Sequence, residues 1–136
     1  MGKKINSLEN RKGSYKTSSN VLISFKYALN GISYVLKTSK NFKIQLIFAL
    51  SSLMIGFLLQ ISISNYVILI AAIISVLILE IINTSIESIV DLVVNKEFSI
   101  LAKISKDTSA GAVLLASINS VIIGLYIFIP KIKLLF

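Results

Sequence analysis

Residues 66–94 read YVILIAAIISVLILEIINTSIESIVDLVV. The run is uncharged until Glu80, and only Glu87 and Asp91 follow within it. With Asn83 and Thr84, these groups stand at offsets of 0, 3, 4, 7 and 11. At about 100° per residue, the five side chains of a helix with that spacing fall within an arc of about 100°. Glu80 then lies roughly 16 Å along the axis from Asp91. An ionised group in hydrocarbon costs about 2.5–3.5 kcal/mol on insertion scales, so such groups usually mark a site. The bland alternative is a polar seam that glues helices together. Asn83 and Thr84 suffice for a seam, whereas three carboxylates on one face exceed its needs.

Outward from this segment, the chain reads as a small membrane protein. Of its 136 residues, 55% are hydrophobic and only 15% charged, against about 25% charged in an ordinary soluble domain. Ile44–Ile63 is a first uncharged span, broken by Ser64-Asn65, and Ala110–Ile129 is a third, closed by Pro130 and Lys131. Each meets the requirement of about 20 residues for crossing hydrocarbon as a helix. A barrel would need alternating strands of about ten residues, which are absent. The fold class is therefore an all-α membrane protein with three transmembrane helices, near 44–63, 66–94 and 109–129. Asn95–Lys106 reads as a polar connection.

Ahead of the spans, residues 20–40 carry Lys26, Asn30, Ser33, Lys37 and Lys40 on one helical face and Leu22, Phe25, Leu29, Ile32 and Leu36 on the other. This is the pattern of an amphipathic surface helix whose lysines reach headgroups. Residues 1–19 are polar, lysine-rich and aperiodic, and read as a disordered basic tail; residues 20–136 read as one integral membrane domain. No secretory signal pattern appears at the start.

The net charge of +8 raises the question of nucleic acid, but position answers it. Nine of the 14 basic residues precede Ile44, and Lys96, Lys103 and Lys106 lie in the second connection, while the first turn has none. Basic residues so placed mark cytoplasmic flanks facing anionic lipid, not a nucleic-acid surface. The amino terminus and second connection are expected in the cytoplasm, the first turn and carboxyl terminus outside.

Cysteine and histidine are absent, which removes thiol nucleophiles, the usual zinc sites and imidazole acid–base chemistry. Carboxylates ending at a cytoplasmic surface suit Mg2+, which takes a few carboxylate oxygens and fills its shell with water and phosphate. Lys106-Asp107, across the connection at the same level, offers a cation for a polyphosphate, although Asp107 alone could simply cap the third helix. Carboxylates, lysine and magnesium form the minimum set for phosphoryl transfer. None of the six glycines falls in a GxxxxGK[ST] or GxGxxG pattern, so ATP would be bound without those loops. Ala112, Ala116 and Ser120 form a close-packing ladder. The competing class is a small proton-coupled transporter, with Glu80 and Glu87 as relay carboxylates.

The run Glu80-Ile-Ile-Asn83-Thr84-Ser85-Ile86-Glu87-Ser-Ile-Val-Asp91, followed by Lys106-Asp107-Thr-Ser-Ala110-Gly111-Ala112-Val113, closely resembles the prokaryotic diacylglycerol kinase family over about residues 20–130. The resemblance implies a homotrimeric membrane lipid kinase with three spans and a surface helix, using ATP and Mg2+ on a lipid alcohol. It implies that Glu80 is the catalytic base in contact with the lipid substrate, and that Glu87 binds the metal and ATP. Asn83 and Asp91 match supporting site residues. Lys106 and Asp107 match nucleotide-phosphate contacts, Tyr27 and Glu97 further ATP-side positions, and Ala110 a lipid-pocket position. One departure stands out: where members often carry a second metal-binding glutamate, this chain has Ser39. Gln45 and Ser99 stand where some members have histidine. Ala110-Gly111-Ala112-Val113 and Leu101-Ala102-Lys103-Ile104 look nearer the Gram-positive branch, which implies undecaprenol as substrate, with diacylglycerol as the alternative.

Overall fold

The computed structural model describes residues 21–95 and 97–134. The expected disordered tail, 1–19, lies outside them. The described residues fall into two compact units, divided between Tyr34 and Val35. Four helices follow one another: α1 (Val21–Thr38), α2 (Lys40–Leu58), α3 (Ile63–Val93) and α4 (Ile100–Lys133). No strand occurs among the described residues.

The first unit contains most of α1. On its apolar face, the side chains of Leu22, Phe25, Leu29 and Ile32 are exposed.

In the second unit, each helix begins at a serine. Ser39, Ser62 and Ser99 adopt extended backbone and accept the N–H of Phe42, Asn65 and Ala102 respectively. Such caps supply an acceptor for one of the orphan donors at each helix start. The α2–α3 turn is short because Gln60 takes a left-handed backbone, φ 50°. Its N–H then reaches Phe57 O, and that of Ile61 reaches Gly56 O at 3.1 Å. Gly56 allows this close approach: a Cβ there would lie 2.9 Å from Ile61 Cδ1, and the Ile61 side chain would have to shift to admit it. Ile61, Leu69 and Ile127 form the buried core at this end, packed by Leu53, Tyr66 and Phe128.

Three boundaries differ from the sequence reading. The first turn lies at 59–62, because Ser62 caps α3, so the first span ends at Leu58 and not at Ile63, and Ser64-Asn65 belong to α3. The connection to the last helix is shorter than Asn95–Lys106: α4 starts at Ile100, so Lys103, Lys106 and Asp107 are helical. Polarity marks where the hydrocarbon ends, and a helix ends only where capping and propensity stop it. Asp107 is accordingly not the cap, a role filled by Ser99. Nor does Pro130 close the helix, which runs on to Lys133. The missing proline N–H and ring clash disturb the turn before Pro130, and only one further turn follows.

All three long helices are long and apolar enough to cross a membrane. At 31 and 34 residues, α3 and α4 are roughly 46 and 51 Å long, well beyond a hydrocarbon core of about 30 Å. They therefore carry their polar turns past the membrane edge. α3 packs extensively along α4 and less on α2.

Candidate functional site

The polar residues of α3 occupy one face, and their exposure rises along it. Glu80 is 2% exposed and Asn83 is buried; Glu87 is half-buried and Asp91 is exposed. Glu80 lies roughly 26 Å along the axis from Ile63, which puts it near the far edge of the hydrocarbon core and the later groups beyond it. Burying a carboxylate without partners costs several kcal/mol, and α2 supplies the partners. Ser39 Oγ donates to Glu80 Oε1 at 2.7 Å, and Gln45 Nε2 donates to Glu80 Oε2 at 3.3 Å. Each carboxylate oxygen keeps one lone-pair direction for a further donor. Gln45 Oε1 is buried with no hydrogen-bond partner.

One turn on, α4 takes over from α2. Ser109 Oγ donates to Asn83 Oδ1 at 2.6 Å, which turns the amide so that Asn83 Nδ2 donates to Glu87 Oε1 at 3.1 Å. Thr84 Oγ1 is occupied by the Glu80 carbonyl, so it belongs to the helix and not to the site. At the end of the face, Lys106 Nζ and Asp91 Oδ1 form an ion pair at 2.6 Å, with side chains 37% and 53% exposed. At that exposure the pair contributes little to stability; its effect is to fix where the ammonium stands.

Two cavities flank this face. An open cleft of about 430 Å³ is lined by the charged residues Asp91, Glu97, Lys103, Lys106 and Asp107 together with apolar ones such as Val94 and Phe98. An apolar groove of about 300 Å³ includes Gln45, Phe48, Ala49, Leu69, Val76 and Ser120 in its lining. The structure thus links Glu80, Asn83, Glu87 and Asp91 along α3, and brings Lys106, Asp107 and Glu97 to its exposed end. Ala110 follows Ser109 but is exposed and lines neither cavity. Tyr27 lies on α1 in the first unit. Sequence reasoning missed Ser109 altogether and the contacts of Ser39 and Gln45 with Glu80. Ser109 follows Lys106 by three positions on α4 and so shares its face, but one serine in a span signals nothing by itself.

Among the described residues, no three carboxylates gather tightly enough to hold a metal ion alone. Glu87 Oε2 is nonetheless free of partners among them, and its neighbour Oε1 is held by an amide. A half-buried carboxylate of this kind fits a cation that completes its shell with water and phosphate oxygens. A buried carboxylate, a carboxylate free for a cation and a fixed ammonium beside a cleft can accept a proton, hold a metal and neutralise phosphate.

Comparison with known proteins agrees with this chemistry. The family profile described as prokaryotic diacylglycerol kinase matches residues 26–128. A diacylglycerol kinase of Synechocystis sp. is 40% identical over 120 residues, covering 88% of this chain and 69% of that protein. An undecaprenol kinase of Bacillus subtilis is 42% identical over 108 residues, covering 79% of this chain and 87% of that protein. The matched region spans the whole α3 face and the cleft, and the chain belongs to the prokaryotic diacylglycerol kinase family, as a multi-pass membrane lipid kinase.

Proposed function

We propose that this enzyme transfers the γ-phosphoryl group of ATP to the hydroxyl of undecaprenol, giving undecaprenyl phosphate and ADP. The observation that carries the reading is the gradient along α3, from a buried carboxylate at lipid depth to an ion pair lining an open cleft. A lipid alcohol and a nucleotide approach from opposite media, and the gradient provides for both along one helix face.

In this reading, the lipid tail lies in the apolar groove, whose lining includes Gln45, the partner of Glu80. Glu80 accepts the hydroxyl proton as the lipid oxygen bonds to the γ-phosphorus. The β–γ bridging oxygen leaves with ADP. Lys106, tethered by Asp91, offsets charge on the phosphates, and Asp107 and Glu97 bound the nucleotide cleft. Glu87, steadied by Asn83 and Ser109, would hold Mg2+, which when bound neutralises phosphate charge and aligns the chain for in-line attack. Most of the rate then comes from positioning and electrostatics, which a protein this small can supply. Tyr27 and Ala110 are proposed contacts of ATP and lipid from the family resemblance alone.

Undecaprenol is favoured by Ala110-Gly111-Ala112-Val113, by Leu101-Ala102-Lys103-Ile104 and by the B. subtilis relative. The Synechocystis relative supports the alternative, diacylglycerol. The test is transfer of labelled phosphate from ATP in detergent, with the two lipids offered separately. Undecaprenol should be labelled at the higher kcat/KM; preference for diacylglycerol reverses the substrate assignment, and labelling of neither defeats the kinase reading.

We further propose a homotrimer in the cytoplasmic membrane, with the amino terminus inside. The orientation follows from the lysine asymmetry. A cysteine-free chain allows a direct test through Ser64→Cys, an exposed position in the first turn of α3. A membrane-impermeant thiol reagent added outside intact cells should label it. Labelling only after the membrane is opened inverts the topology and removes the cytosolic ATP site.

A further inference from the structure

We infer that Ser39 is a positioning residue for the proposed base, acting through Glu80 and not through a metal. The inference rests on the reading of Glu80 as proton acceptor. Ser39 has two simultaneous bonds. Its Oγ accepts the N–H of Phe42 at 3.0 Å and donates to Glu80 Oε1 at 2.7 Å. A serine hydroxyl normally rotates to suit its surroundings. Here the first bond fixes the oxygen at the start of α2, and the second commits its only proton to the carboxylate. The two bonds differ in kind: the cap needs only the oxygen, the carboxylate needs the hydrogen.

The effect on Glu80 is geometric. Three side-chain torsions separate its carboxylate from the α3 backbone, and without the bonds from Ser39 and Gln45 more than one rotamer is open to it. Ser39 holds one oxygen and Gln45 the other, so the plane of the group is set and the remaining lone pairs keep one direction. A proton acceptor aimed in advance requires no reorganisation when the lipid hydroxyl arrives. Ser39 caps α2 and Gln45 lies within it, six residues on, so the start of this helix sets the spacing of the two donors.

Cap and positioning roles separate by substitution, because glycine at an N-cap costs only a few tenths of a kcal/mol relative to serine yet has no hydroxyl to donate. In the purified full chain, Ser39→Gly should lower kcat for lipid phosphorylation about tenfold, in line with loss of a hydrogen bond to a charged group. The KM for ATP should stay within about twofold, because the Ser39 hydroxyl bonds Phe42 and Glu80 and none of the proposed nucleotide groups. The unfolding midpoint should fall, because buried Glu80 Oε1 loses its donor, and Ser39→Thr, which restores a hydroxyl, should recover most of kcat and of the midpoint. Wild-type kcat in Ser39→Gly overturns the inference. So does a loss that Thr fails to rescue, or one that falls on the KM for ATP with kcat unchanged. Glu80→Gln, measured alongside, keeps the two readings apart. If it retains near-normal turnover, the base assignment itself fails. If it is inactive while Ser39→Gly is normal, only the role of Ser39 fails.

Discussion

Glu80→Gln is expected to lower turnover by about 10²–10⁴-fold, the range for loss of a general base, with ATP binding largely intact. The substitution preserves shape, and the hydrogen bonds around position 80 show that the fold can accept it. Ser39 Oγ, now a donor to Glu80 Oε1, can donate equally to an amide oxygen. The new NH2 would then face Gln45, whose Oε1 is buried without a donor. A half-turn of the Gln45 amide presents that oxygen to the new donor and leaves Gln45 Nε2, in place of Oε1, without a partner, so the number of hydrogen bonds is kept. A buried charge is also removed, and buried charges are weak contributors to stability even when paired. The thermal unfolding midpoint should therefore match or exceed that of the wild type while activity collapses. This opposition is characteristic of a residue kept for chemistry at the expense of stability. Labelled phosphate transfer and a thermal scan on the same preparation check both halves. Near-normal turnover refutes the base, and a large drop in midpoint would attribute the lost activity to a damaged fold.

The α3 face was legible because helical periodicity and charge sparsity act together. In a segment with three charges, a common spacing leaves little freedom about where those groups stand, and Glu80, Asn83, Glu87 and Asp91 do share a face. The spans were legible for a related reason, since length and hydropathy directly express the thickness of a bilayer. The start of α4 was not legible from hydropathy. Lys103, Lys106 and Asp107 look like loop residues when polarity is the criterion, but Ser99 caps the helix ahead of them. The contacts across helices were equally hidden. Ser39-Glu80 and Ser109-Asn83 join positions 41 and 26 residues apart, and no local pattern encodes a pairing between helices. Serine compounds the difficulty, because it caps, bonds back to its own helix or reaches across, and sequence alone does not distinguish these. Ser75, Ser85 and Ser88 bond only to carbonyls four residues back, whereas the single Ser109 proton is shared between the Lys106 carbonyl, three residues back, and the nearer Asn83 Oδ1.

Glu87→Ala should abolish phosphate transfer, with a loss of about 10²-fold or more, because a bound metal supplies several kcal/mol of transition-state stabilisation. Asn83 Nδ2, itself held by Ser109 of α4, fixes Glu87 Oε1 and leaves Oε2 without a partner among the described residues. Among the described residues, no cluster of three acidic groups stands ready to replace it. Deleting it should therefore remove the one strong protein ligand of the proposed site, a loss that water alone would have to fill. Glu87→Gln sharpens the test. It keeps the volume and an acceptor for Asn83 Nδ2, so the chain through Ser109 survives, but an amide oxygen holds this hard cation much less well than a carboxylate. Its residual activity should require a higher Mg2+ concentration for half-maximal rate. Glu87→Asp retains the charge but draws it back by one methylene, away from Asn83, and should fall between the two. A titration of initial rate against Mg2+ at saturating ATP and lipid reads all three variants on one axis. If Glu87→Gln has the wild-type magnesium requirement and loses only kcat, the carboxylate acts on the reacting groups themselves and the metal is held by phosphate and water.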